Sequence, residues 1–206
     1  YHQLGMVAQE QRQWAQAEAH YRQALALYVE FGDRHSQASV YHQLGNVALE
    51  QRQWERAEAH YRQALALFVE FNDRYSQAST YGQLGNVAFE QRQWAQAEAH
   101  YRQALALFIE FNDRHGQARL YGSLGLLAEA QEQWPQAREH LLRTLELFVE
   151  FTDEHSIGVT LRNLALLWQA SGDAGVPAGV ARVFGVTVEQ AEEGLRGGAV
   201  NESGNE

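Results

Sequence analysis

Residues 41–80 read YHQLGNVALEQRQWERAEAHYRQALALFVEFNDRYSQAST, and residues 81–120 read YGQLGNVAFEQRQWAQAEAHYRQALALFIEFNDRHGQARL. The two stretches agree at 31 of 40 positions. A fixed period of this length means one small unit stacked on copies of itself. Tyr1, Tyr41, Tyr81 and Tyr121 open four such copies, and Trp14, Trp54, Trp94 and Trp134 keep the register. The copy from Tyr121 agrees with its predecessor at 18 of 40 positions, and a fifth begins at Leu161 and keeps the pattern to about Gly172. Below, the residue in step with Tyr1 is repeat position 1.

Each repeat predicts two helices. In the first, over about residues 34–51, Ala38, Tyr41, Leu44, Gly45 and Ala48 recur in steps of three and four, the spacing of one helical face. In the second, over about 54–71, Trp54, Ala57, Tyr61, Ala64, Leu65 and Phe68 form the inner face. Gly32, Asn72 and Asn112 suit a left-handed helix end. The Asp after each (Asp33, Asp73, Asp113) suits an N-cap. Pro135 fits a first helical turn. A glycine inside a helix costs up to ~1 kcal/mol against alanine. Gly5, Gly45, Gly85 and Gly125 are therefore expected where the paired helix comes close, beside Ala57 and Ala64, with a looser contact at Ala165.

Composition excludes several classes of function. With 45% hydrophobic and 20% charged residues the chain folds. No apolar run nears the ~20 residues of a membrane helix. There is no Cys, so thiolate chemistry is absent, and no Lys, so all 16 basic residues are Arg. A net charge of -10 disfavours nucleic acid and anionic membranes as partners. No leader is recognisable before Tyr1, and a start in mid-pattern reads as a fragment of a longer protein.

The spacing Tyr41, Leu44, Gly45, then Ala57, Tyr61, Ala64, recurring in phase, resembles the tetratricopeptide repeat. Two features depart from the usual pattern: Ala48 stands where the family has a Tyr, and the period is 40 instead of 34. The longer period is similar to repeats of kinesin light chains, Pins-type adaptors and bacterial signalling NTPases of the NACHT and NB-ARC type. The resemblance implies an all-α solenoid, a right-handed superhelix of antiparallel helix pairs over residues 1–172. Residues 173–196 are expected to form capping helices and 197–206 a disordered tail. It also implies a non-catalytic domain binding a protein or peptide, without cofactor, in the cytoplasm, as the sensor of a larger bacterial signalling protein. A scaffold or oligomerisation module and a transcription regulator remain alternatives.

Copies of a repeat retain what the fold needs, so their differences mark a surface. In the first helix these fall at positions 35, 39, 2, 6 and 9, one helical face. In the family this face lines the ligand groove, and the Asn after Leu-Gly often binds ligand backbone; Asn46 and Asn86 match it. The expected groove is His42, Asn46, Leu49, Ser79, Asn86, Phe89 and Arg119. Both Asn side chains are expected exposed. Few cations on this face disfavour C-terminal carboxylates of heat-shock chaperones as ligands.

His20, His60, His100 and His140 lie forty residues apart, too far between stacked helices to converge on one metal; they are expected as a surface column. Asp33, His35 and Ser36 read as a helix start and not a hydrolase triad, and Glu50–Gln53 as a polar turn. Pro177–Phe184 predicts a helix ended by Gly185, and Thr187–Gln190 a capping box opening another to Leu195. Residues 180–187 faintly resemble a helix-turn-helix, but two Arg against six acidic residues from Ser171 onward oppose DNA binding. Tyr1, Leu4 and Ala8 are expected to lack the helix that would precede them, leaving that end to fray or self-associate.

Overall fold

The computed structural model describes residues 1–200, with side chains described to 197. Among these residues there is no strand. Eleven helices follow one another: α1 His2–Glu10, α2 Trp14–Glu30, α3 Arg34–Glu50, α4 Trp54–Glu70, α5 Arg74–Glu90, α6 Trp94–Glu110, α7 Arg114–Ala130, α8 Trp134–Glu150, α9 Glu154–Ser171, α10 Gly175–Phe184 and α11 Val188–Val200. α11 therefore continues past 197, and residues 201–206, the rest of the expected tail, lie outside the described residues. Two compact segments are present, Tyr1–Leu107 and Phe108 onward.

The helix boundaries follow from the local chemistry of the repeat. Asp33, Asp73, Asp113 and Asp153 each accept a backbone N–H three residues on, at 2.8–3.1 Å. Ahead of each cap the chain turns left-handed, at Gly32 (φ 67), Asn72 (φ 54), Asn112 (φ 52) and Thr152 (φ 54). The Glu-Gln-Arg-Gln connection uses the same device less comfortably, with Arg12, Arg52 and Arg92 at φ 56 to 58. Gln37, Gln77 and Gln117 then donate to the backbone oxygens of Tyr28, Phe68 and Phe108 at 3.0–3.1 Å, tying each first helix to the second helix before it.

In the first segment the core is a ladder of small residues closed by aromatic rings. Ala17, Tyr21, Ala57 and Tyr61 are fully buried. The helix glycines serve the tyrosines rather than the neighbouring alanines. A Cβ on Gly45 would lie 2.5 Å from Cε1 of Tyr61, and Gly5 meets Tyr21 in the same way. So the close approach exists, but its cause is a ring laid across the glycine, not Ala57 and Ala64.

In the second segment the same site is rebuilt. Leu141 replaces the tyrosine and packs on Gly125. One repeat later Ala165 stands for the glycine and Ala181 for the tyrosine, and both are buried in one cluster. Ala165 is 2% exposed within that cluster, so the position stays in the core without a ring laid across it. α10 starts where the second helix of a fifth repeat would. It buries Val176, Val180 and Ala181 against Leu142, Leu145, Leu164 and Leu167, with Ala191 and Leu195 of α11 in the same core. Gly185 ends α10 at φ 67. Thr187 and Gln190 exchange both capping-box hydrogen bonds, at 3.0 and 3.3 Å.

Candidate ligand-binding face

The face where the copies differ is partly built into the core. Asn46 and Asn86 are half-buried, not exposed. Buried Tyr61 donates its hydroxyl to Oδ1 of Asn46 at 2.7 Å, and Tyr101 does the same to Asn86 at 2.9 Å. The amides also link to each other. Asn86 donates to Gln83 at 2.7 Å, Gln83 to Asn46 at 3.3 Å, and Asn46 to Gln43 at 2.9 Å. A run of amides thus crosses from α5 to α3, using three of the four hydrogen-bonding positions of Asn46 and two of Asn86 inside the fold.

The sequence held a signal for this pairing. Asn follows Leu-Gly where a Tyr lies fifteen residues on (Asn46 and Tyr61, Asn86 and Tyr101), and Leu126 accompanies Leu141. In the first repeat Met6 offers no acceptor, and the Tyr21 hydroxyl turns to Gln9 at 2.8 Å.

His42 and Ser79 are brought together. They line a 210 Å³ pocket between α3 and α5 with Ser39, Gln43, Tyr75 and Ser76, floored by Phe68. Thr80 donates its hydroxyl to the Ser76 carbonyl at 2.7 Å. Its oxygen can therefore only accept from His42, whose Nδ1 lies 3.0 Å away. This fixes the proton on Nδ1 and leaves Nε2 as a lone-pair acceptor. Desolvation by burial lowers the His42 pKa to about 4, so the ring is neutral at pH 7. The pocket offers a placed acceptor, hydroxyls and no charge.

The remaining expected residues divide. Leu49 packs half-buried against the cluster of Ala48, Tyr61 and Val87. Phe89 lies against Trp94, with ring centroids 5.5 Å apart. Arg119 is exposed, in the second segment. Leu126 and Leu166 are 40% and 54% exposed on the same helical face.

The histidine column is not simply a surface. His20, His60, His100 and His140 are half-buried and stack on Tyr1, Tyr41, Tyr81 and Tyr121, at centroid distances of 6.0–6.3 Å. No cluster of three metal-ligating side chains occurs among the described residues. Asp33 caps α3 through Ser36. His35 lies against Phe71 and 3.6 Å from Asp73, so Asp33, His35 and Ser36 do not make a triad. No helix among the described residues is long and apolar enough to cross a membrane.

One surface was not foreseen. Phe31, Phe71, Phe111 and Phe151 sit at an invariant position yet are 76%, 43%, 45% and 38% exposed. Repetition alone does not separate a core residue from one kept at an edge.

The helix pairs described above have counterparts of known structure. BtubC (BKLC) from P. vanneervenii superposes with a TM-score of 0.78 at 20% identity, over 98% of this chain and 80% of that one. A Podosopora anserina protein described as a kinesin light chain with nearly identical TPR-like repeats gives 0.72 at 16%, over 99% and 95%. Aspartyl phosphate phosphatase F from Bacillus subtilis gives 0.70 at 16%, over 93% and 56%. At these identities the likeness is one of fold. No curated protein matches by sequence. The tetratricopeptide repeat model, in contrast, matches residues 1–68 and 76–149. These are the repeats whose Tyr, Leu-Gly and Ala positions build the ladder of helix pairs, and the chain belongs to the tetratricopeptide repeat family.

Proposed function

We propose that the chain is a non-catalytic recognition module whose first-helix face binds a protein or peptide, within a larger bacterial signalling protein. Tetratricopeptide repeats are generally protein-interaction modules. The observation that carries the assignment to this face is the pocket between α3 and α5, where the His42 acceptor and the Ser39, Ser76 and Ser79 hydroxyls stand open beside Tyr75. Such a pocket suits a neutral hydrogen-bond donor, such as a backbone N–H or an amide side chain. Leu49 and Phe89 extend the face with apolar area. Arg119 supplies a cation on the corresponding face of the second segment.

The regulator alternative receives less support. The helices it would use bury Val176, Val180, Ala181, Ala191 and Leu195 in a core shared with α8 and α9, and residues from Ser171 onward carry two Arg against six acidic residues. For a self-association surface we propose α1, where Tyr1, Leu4, Met6 and Val7 are 57%, 52%, 44% and 48% exposed. Sedimentation of Leu4→Glu beside the parent chain tests it, and equal association by both removes the surface.

The experiment for the recognition face is affinity capture with the parent chain and with Ser79→Trp, which fills the pocket. A specific protein should be retained by the former and lost by the latter, with melting temperatures unchanged. Equal capture by both would move the site off this face.

A further inference from the structure

The pocket between α3 and α5 is shaped by a pair of residues that the sequence combines once. His42 stands 38 residues before Thr80 and meets it at 3.0 Å. At the same spacing His2 is followed by Val40, Gly82 by Leu120 and Gly122 by Thr160. None of those three pairs joins an imidazole to a hydroxyl.

The pair decides what the pocket presents. Thr80 is fully buried, and its hydroxyl proton is committed to the Ser76 carbonyl. His42 therefore donates through Nδ1 and keeps a lone pair on Nε2. Burial holds the ring neutral at pH 7. Nε2 and the hydroxyls of Ser39 and Ser79 have no partner among the described residues and are open to solvent. Among those residues, neither a carboxylate nor an Arg lines the 210 Å³ pocket.

This lining discriminates between occupants. A carboxylate would set its lone pairs against Nε2, and an ammonium or guanidinium would lose water without gaining a counter-charge. An apolar side chain would displace water from three polar atoms and leave them unpaired. A backbone N–H suits Nε2, but the carbonyl of the same trans peptide unit points the opposite way and offers the hydroxyls nothing. A hydroxymethyl group would satisfy Nε2 and leave most of the volume to water. A primary carboxamide carries two donors and an acceptor oxygen on one planar group. It can donate to Nε2 and accept from a serine hydroxyl together, with its methylene stem over Phe68.

Given the first-helix face as the recognition surface, on which this inference rests, we propose that the pocket takes a primary carboxamide, the side chain of a Gln or Asn in the bound segment, and that Thr80 is the positioning residue that makes His42 its acceptor.

The probes are acetyl-Ala-Ala-Xaa-Ala-Ala-N-methylamide peptides with Gln, Asn, Glu, Met or Ser as Xaa. The methylamide cap leaves the side chain as the peptide's only primary carboxamide. Backbone amide shifts of Ser79 and Thr80, followed by NMR in the full chain, give each affinity. The better of the Gln and Asn peptides should bind at least about tenfold more tightly than the Glu, Met and Ser peptides.

Two variants use residues that other copies already carry. His42→Gly, as at Gly82 and Gly122, should remove the preference for the carboxamide. Thr80→Val, as at Val40, should shrink the preference for carboxamide over carboxylate by about threefold or more. Its imidazole nitrogen shifts should show His42 no longer held in one tautomer, a change that a merely structural Thr80 would not produce. No binding, no preference for Gln or Asn, or an undiminished preference in His42→Gly overturns the carboxamide. An unchanged tautomer and preference in Thr80→Val overturns the role of Thr80. The two readings fail separately: a lost Ser79→Trp distinction in affinity capture removes the recognition face, and an absent peptide preference removes the carboxamide.

Discussion

Single residues carry two tests. Thr152 holds φ 54 in the turn where earlier copies have Gly or Asn. A left-handed conformation costs an L-residue ~1–2 kcal/mol, and a β-branched side chain tolerates it poorly. Thr152→Gly should stabilise by ~0.5–1 kcal/mol after the entropic cost of glycine, read as a higher urea midpoint at unchanged slope. His42 carries the second test. The folded protein keeps it neutral down to about pH 4, whereas an unfolded chain protonates it near 6.5. The unfolded state therefore binds more protons in that window. The contribution of a neutral His42 is complete above pH 6.5, declines as pH falls, and is lost near 4, up to about 3 kcal/mol in all. Burial lowers His60 and His100 as well and adds in the same direction. Urea midpoints at pH 7.5, 6 and 4.5 should fall more steeply for the parent chain than for His42→Gln. Parallel profiles would contradict the depressed value.

Within one helix pair, the Gly-Tyr-Asn trio acts as a unit. Asn46→Leu alone leaves the buried Tyr61 hydroxyl without its acceptor and should cost ~1–3 kcal/mol. The double change Asn46→Leu, Tyr61→Leu copies the fourth repeat, with its Leu126 and Leu141. It should cost less than the two single changes together, by ~1 kcal/mol or more in a double-mutant cycle. Gly45→Ala should destabilise by ~1–3 kcal/mol through overpacking on Tyr61, although alanine is the better helix former. The helices themselves were legible, because steps of three and four and the Asp caps are local signals. The partner of Asn46 lies fifteen residues away on another helix, and no local pattern gives that contact. The joint change to Leu126 and Leu141 did record it. Reading position 6 as pure surface overlooked a side chain that serves the core and borders the face together. The exposed Phe31 column escaped for the opposite reason, since an invariant position shows no difference between copies to mark it as surface.

At the scale of the whole molecule, stability should be graded along the chain, as in arrays where repeats contact mainly their neighbours. Leu4, Met6 and Val7 of α1 are exposed whereas Leu44 and Val47 of α3 are buried. Amide exchange at residues 4–11 should therefore be faster than at 44–50, and equal protection would contradict the gradient. Deleting Val176 onward uncovers Leu142, Leu164 and Leu167. It should lower stability by ~3 kcal/mol or more, given ~1.5–3 kcal/mol per apolar side chain exposed, and promote association in sedimentation. The closing helices were partly legible, through Gly185 and the Thr187 capping box. The 770 Å³ cleft walled by Gly158, Leu161, Phe184 and Leu195 was not, because it arises where α10 stops after 10 residues, and a shortened helix leaves no motif to read. The Tyr61–Asn46 pairing has a further consequence at the level of the gene. Its compatibility condition lies inside one forty-residue copy, and the amides that cross between copies join residues the duplicates share. Unequal recombination between the stretches encoding 41–80 and 81–120 would thus add or remove a whole copy and leave every tyrosine with its acceptor. The fourth copy, with its leucine version and only 18 of 40 positions shared with its predecessor, is a poorer template for such exchange.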